Sequence, residues 1–197
     1  MCDNPTKKQA EEAVRTLISW AGDDPKREGL LETPMRVTRA YQEYFKGYKI
    51  DPTKELQKSF EENEGYNDMV MLRNISFSSH CEHHIAPIIG VAHIAYMPNK
   101  KVVGISKLAR VVEIFAKRLQ TQERMTSQIA KCIRDALGAA GVAVLIEAEH
   151  HCMSTRGVHK PGVKTLTKEL HGVFLTDQNL KNEWLSFMRG TTHGTMV

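Results

Sequence analysis

Two short segments concentrate the chain's chemistry: His80-Cys81-Glu82-His83-His84 and His150-His151-Cys152. They hold five of its nine histidines and two of its four cysteines. Thiolate sulfur and imidazole nitrogen are both good zinc ligands. Each segment lies at the end of an extended stretch, and clustering at two strand ends is what a ligand cage requires. Loop polarity alone is the weaker explanation. A closed structural zinc site would draw four ligands from paired C-x-x-C or H-x-x-x-H segments. Each segment here supplies one cysteine, so two cysteines and one histidine with an open fourth position is the natural count. Zinc in an open site lowers the pKa of water to about 7, which points to hydrolysis rather than scaffolding. Spacing leaves the histidine open: a helical turn would bring His84 to Cys81, an extended strand would favour His83. The zinc nucleobase deaminase pattern, H-x-E followed by P-C-x-x-C, is excluded because no C-x-x-C occurs.

A second group is cationic. Ser106, Lys107 and Arg110 open an expected helix, with the two cations three apart on one face. A helix N-terminus already favours anions, so the group could cradle a polyphosphate, although a solvated basic face is the commoner meaning of such a pattern. Arg156, Arg36 and Arg39 could extend the basic wall. Gln122 and Glu123 begin the next helix. The carboxylate there could complement the helix dipole or make a two-point contact with a guanine edge.

The elements that must position these residues follow from periodicity. Residues 7–21 carry a helical apolar stripe, and Thr33-Pro34 reads as cap and first position of a second helix reaching Gly47. Residues 48–68 are polar and irregular, a long connection. From Met69 the period turns extended, with strands on both sides of CEHH and a Pro-Asn turn after them. Ser106 reads as the cap of one helix, and another runs from Thr121 to the glycines near 138. GVAVLIEAEH reads as a buried strand and VKTLTKELHGVFL as a further one. A last helix runs from Thr176 or Asp177 to Arg189, followed by a frayed tail. The fold class is α+β, a mainly antiparallel sheet with helices on one face. An N-terminal helical region with its connection occupies 1–68 and a catalytic domain 69–197.

The 197 residues include 41% hydrophobic and 25% charged positions, a globular composition that excludes disordered and collagen-like chains. A net charge of +4 is too small to argue for nucleic acid as a partner. No apolar run is long enough to span a membrane, and charges interrupt the N-terminus where a signal-peptide core would lie. A cytoplasmic location is expected, with cysteines as thiols or metal ligands rather than disulfides. Cys132, among Ile129, Ile133 and Ala136, reads as a core residue.

The segments CEHHIAPIIG, VVGISKLARVVEIFAKRLQTQERMT and HHCMSTRGV, in that order, resemble the zinc-dependent GTP cyclohydrolase I family, across about residues 10–190. The resemblance implies the tunnelling fold: a four-stranded antiparallel sheet with two helices on one face, joined edge to edge into pentamers that pair as a decamer. It implies Zn2+ held by Cys81, His84 and Cys152, with His83 and His150 as acid–base residues. It places Gln122 and Glu123 at purine-anchoring positions. Ser106, Lys107, Arg110 and Arg156 fall at ribose and triphosphate contacts, and Arg36 and Arg39 at contacts with a neighbour's site. The family often has lysine where Arg39 stands. Lys168, Glu169 and His171 are unusual for its pattern before Gly172. The implied reaction converts GTP to 7,8-dihydroneopterin triphosphate and formate, the first step towards folate or tetrahydrobiopterin. Two other readings are an NADPH-dependent nitrile reductase of the same fold and a non-catalytic purine-nucleotide-binding homologue. Assembly is also expected because the strand VAVLIEA carries no proline or lysine to block edge pairing.

Overall fold

The computed structural model describes residues 4–57, 59–60, 66, 68–99 and 101–189. The chain divides into two compact units, Met1–Lys46 and Gly47–Val197. In the first unit helix α1 spans Lys7–Trp20 and helix α2 spans Thr33–Tyr44. The Thr6 hydroxyl accepts from the Gln9 N–H while the Gln9 side chain accepts from the Thr6 N–H at 2.8 Å. This reciprocal cap satisfies two donors that have no partner inside the helix. In α2 the cap is Glu32 rather than Thr33. Glu32 is already in helical backbone conformation, and its carbonyl accepts from the Arg36 N–H at 3.0 Å. Thr33 therefore becomes the first helical residue, and Pro34 falls in the first turn, where its missing N–H costs nothing.

The second unit runs, in chain order, α3 (Pro52–Leu56), β1 (Ser59–Phe60), β2 (Val70–Cys81), β3 (Pro87–Met97), β4 (Val102–Val103) and α4 (Ile105–Ala116). It continues with β5 (Leu119–Gln120), α5 (Gln122–Leu137), β6 (Gly141–His150), α6 (His151–Ser154), β7 (Lys164–Gly172), α7 (Val173–Thr176) and α8 (Gln178–Arg189). The main sheet has the order β5-β2-β3-β6-β7. Its four long strands are antiparallel, the α+β sheet expected, and the two-residue β5 runs parallel to the end of β2.

Side chains alternate across this sheet. On one face Ile88, Ile94 and Tyr96 of β3 and Val142, Val144 and Ile146 of β6 pack with Leu108, Val112, Ile129 and Ile133 of α4 and α5. On the other face Ala95 and Ala143 meet Phe174 of α7 and Trp184 of α8, both fully buried. The first face carries the two expected helices; the chain's last two helices cover part of the second.

Four expectations are revised by this arrangement. The stretch 48–68 is not irregular throughout, because Asp51 caps α3 by accepting from the Thr53 N–H at 3.0 Å and Leu56 is fully buried in the core. Helix α4 starts at Ile105 with Gly104 as its cap, which places Ser106 inside the first turn. The strand VAVLIEA lies within β6, paired on both sides by β3 and β7, so the sheet's edges are instead β5 and β7, the latter with Lys164 and Lys168. Extended structure ends at Gly172, whose φ of +59° turns the chain into α7, and a Cβ there would collide with the Ala140 carbonyl. The expected tail, 190–197, lies outside the described residues.

Ile129 is fully buried between α5 and the sheet. Ile129→Ala should destabilise the fold by about 2–5 kcal/mol, lowering the denaturant midpoint measured by circular dichroism.

Candidate active site

The register of β3 with its two neighbours assembles the site. Pro87 pairs with His80 of β2, and Ile88 pairs with His150 of β6. Both chemistry-bearing segments therefore begin beside the first residues of one strand. After Cys81 the chain reverses tightly: Ile85 N–H donates to the Cys81 carbonyl and Cys81 N–H to the Ala86 carbonyl, each at 2.8 Å. Ile85 has φ +55°, a strained conformation for a β-branched side chain. The turn returns His84 to Cys81, and the first turn of α6 presents Cys152 to both.

One ligand atom each from Cys81, His84 and Cys152 lies within 4.8 Å of the others. Cys81 is buried, Cys152 half-buried and His84 exposed. His84, the alternative that needs a turn, completes the trio, while His83 Nδ1 is 3.7 Å from Cys81 Sγ. Burial, and then the neighbouring Cys81, push the Cys152 thiol above its usual value. Two thiolates and an imidazole in this space form a soft donor set whose mutual repulsion a divalent cation would relieve. The donors fit zinc, three protein ligands being the count of an open site.

Around the trio lie two polar networks. Arg124 of α5 donates to Glu82 Oε2 at 2.6 Å, to the Leu119 carbonyl at 2.7 Å and to Gln120 Oε1 at 3.2 Å. It thereby fixes the residue between Cys81 and His83. Gln122 is fully buried, with its Oε1 2.8 Å from His150 Nε2. Burial lowers the pKa of His150, an effect that the charge of Glu123 opposes. Glu123 itself is exposed. Arg156 Nη1 stands 3.1 Å from His84 Nε2.

The cationic group lies on α4. Lys107 and Arg110 donate to Glu55 of α3 at 3.0 and 3.4 Å, and Ser106 is exposed. The Lys107 ammonium, with help from Arg110, holds the Glu55 carboxyl below its usual range. Arg36 and Arg39 belong to the first unit, where Arg36 pairs with Glu32 at 2.6 Å and Arg39 is exposed. Glu55, Glu82 and Arg124 join the site through side-chain pairings that no sequence motif marks. Glu55 meets Lys107 from 52 positions away, a distance no local pattern reveals.

The sheet with paired helices, and two cysteines and a histidine at its strand ends, define an α+β protein of the tunnelling fold with a candidate metal centre. The GTP cyclohydrolase I family model matches residues 10–189, and the chain belongs to that family of enzymes. It is 61% identical over 184 residues to GTP cyclohydrolase 1 of Maricaulis maris (strain MCS10), covering 93% of this chain and 90% of the relative. With GTP cyclohydrolase 1 of Hyphomonas neptunium (strain ATCC 15444) it shares 63% over 182 residues, covering 92% and 88%. With that of Pelagibacter ubique (strain HTCC1062) it shares 56% over 181 residues, covering 92% and 90%.

Burial and the neighbouring Cys81 disfavour the Cys152 thiolate, so binding a metal through that thiolate must displace a proton. Apparent zinc affinity, measured by competition with a chromogenic chelator, should rise steadily from mildly acidic to mildly alkaline pH. Cys152→Ser should bind zinc far more weakly across that range.

Proposed function

We propose that this chain hydrolyses GTP to 7,8-dihydroneopterin triphosphate and formate. The observation that carries the reading is the convergence of Cys81, His84 and Cys152 beside His83 and His150, in a chain of this family. Cys81, His84 and Cys152 would hold zinc, which when bound supplies Lewis-acid activation of water near neutral pH. The remaining groups bind substrate and move protons. Exposed Glu123, at the start of α5, would pair with adjacent N–H donors on the guanine edge. The resemblance puts Gln122 at the same purine-anchoring end of α5. Ser106, Lys107, Arg110 and Arg156 would hold the ribose and triphosphate, the phosphates replacing Glu55 as the counter-charge of Lys107 and Arg110.

Water adds to C8 of guanine, and His83 would protonate the imidazole nitrogen that leaves as the ring opens. A second hydrolysis frees C8 as formate. The ribose then rearranges and recloses on the liberated amine with loss of one water. Two imidazoles able to give and accept protons near neutral pH suit this sequence.

The resemblance implies edge-to-edge pentamers doubled to a decamer; β7 lies at one edge of the sheet, where its Lys164 and Lys168 discourage indiscriminate pairing. Residues 69–197 would carry catalysis, and residues 1–68 would bring Arg36 and Arg39 to a neighbour's pocket. Among the described residues no helix is long and apolar enough to cross a membrane, consistent with work in the cytoplasm.

Incubating purified protein with GTP should release formate and a fluorescent pterin after oxidation; NADPH consumption without formate would overturn the reading. His83→Ser and His150→Ala should keep zinc and GTP binding but lose product. Loss of zinc by either would reassign that histidine to the metal. Mixing Cys152→Ser with Arg36→Ala under subunit exchange should restore part of the activity if pockets are shared. A fully active monomer in sedimentation would contradict the assembly.

A further inference from the structure

The hydrogen bonds around Gln122 fix where every proton lies. Its Nε2 is 3.1 Å from the Ile146 carbonyl, 2.9 Å from the Thr165 carbonyl and 3.1 Å from Thr167 Oγ1. Two of these partners are carbonyl oxygens, which only accept, so the atom facing them must be the NH2 group and cannot be the amide oxygen. The third is determined as well. Thr126 has one hydroxyl hydrogen and donates it to the Gln122 carbonyl at 2.7 Å. In its 2.7 Å contact with Thr167 it must therefore accept, so Thr167 spends its hydrogen there and offers a lone pair to Gln122. Both Nε2 hydrogens are thus shared among three acceptors inside the subunit. The amide cannot flip without setting its oxygen against two carbonyls.

The remaining polar atom of that side chain, Oε1, has only lone pairs and lies 2.8 Å from His150 Nε2. An acceptor at that distance requires an N–H opposite. We propose that Gln122 is a positioning residue that fixes the orientation of the His150 ring and holds its neutral form in the tautomer protonated on Nε2. The relay runs from the β6 and β7 backbone through a fully buried amide to the imidazole, so ring orientation and tautomer are set by the sheet before substrate arrives. A histidine free to hold its proton on either nitrogen would be competent in only a fraction of molecules. This inference rests on the reading of His150 as an acid–base group, and it gives the Gln122 side chain a task other than touching the purine.

The test is magic-angle-spinning NMR of the zinc-loaded full chain carrying ring-15N histidine, with His150→Ala identifying the His150 signals. Wild-type protein at a pH where the ring is neutral should show a protonated Nε2 and an unprotonated Nδ1. A protonated Nδ1 in the wild type overturns the proposal, and this measurement needs no Gln122 variant to fold. Gln122→Met keeps the length of the side chain and removes the acceptor. It should give mixed tautomers and lower kcat by about 10- to 100-fold, with zinc content unchanged and KM for GTP within about twofold. Retention of the wild-type tautomer or of wild-type kcat by Gln122→Met contradicts it. Full turnover by His150→Ala would instead remove the acid–base reading of His150, while the 15N spectrum still decides whether Gln122 sets the tautomer.

Discussion

The site depends on one constraint, the pairing register of β3 with the strands on either side of it. His80 opposite Pro87 and His150 opposite Ile88 bring the ends of β2 and β6 to the same end of the sheet. Because successive residues point to opposite faces, a slip of one residue in either pairing would turn that strand's buried set towards solvent. The apolar alternation that locks the register, Ile88, Ile94 and Tyr96 against α4 and α5, is therefore also what brings Cys81 and Cys152 together. Stability and chemistry rest on the same packing.

Electrostatics around the site divide along the same lines. Two fully buried amides are paired from within the fold: Gln122 by β6 and β7, and Gln120 by the Phe115 carbonyl of α4 at 2.9 Å. Such groups are costly to leave unmatched in a low-dielectric interior, so their geometry is rigid. The cations of α4, half-buried Lys107 and exposed Arg110, behave differently. Lys107 and Arg110 share the single carboxylate of Glu55, a pair near solvent that an incoming polyanion can exchange at little cost. Rigid groups sit near the proposed bond-making centre and exchangeable ones near the proposed phosphate end.

Much of this was legible in the sequence because local signals agreed. The His/Cys clusters announced a ligand cage, and the strand and helix periods were clear for β3, β6, α4 and α5. The choice between His83 and His84 was not legible from spacing, since it depends on a turn closed by the Cys81 and Ala86 backbones around a strained Ile85. The resemblance alone pointed to His84. Ser106 reads as a cap in the sequence, whereas the cap position belongs to Gly104, which has no side chain to signal it. The 48–68 stretch hid α3, whose stability comes from burying Leu56 against distant elements rather than from any periodic stripe. The tasks of Glu55, Arg124 and the inward-turned Gln122 amide are long-range pairings that a linear pattern does not display.

The central claim is that the sheet register builds a centre of two sulfurs and one imidazole. Zinc-edge X-ray absorption on the purified full chain measures this directly. The account predicts one zinc per subunit with two sulfur neighbours at about 2.3 Å, the remainder nitrogen or oxygen at about 2.0–2.1 Å, and one sulfur lost in Cys152→Ser. A first shell of nitrogen and oxygen only, or two sulfurs retained in Cys152→Ser, would contradict it.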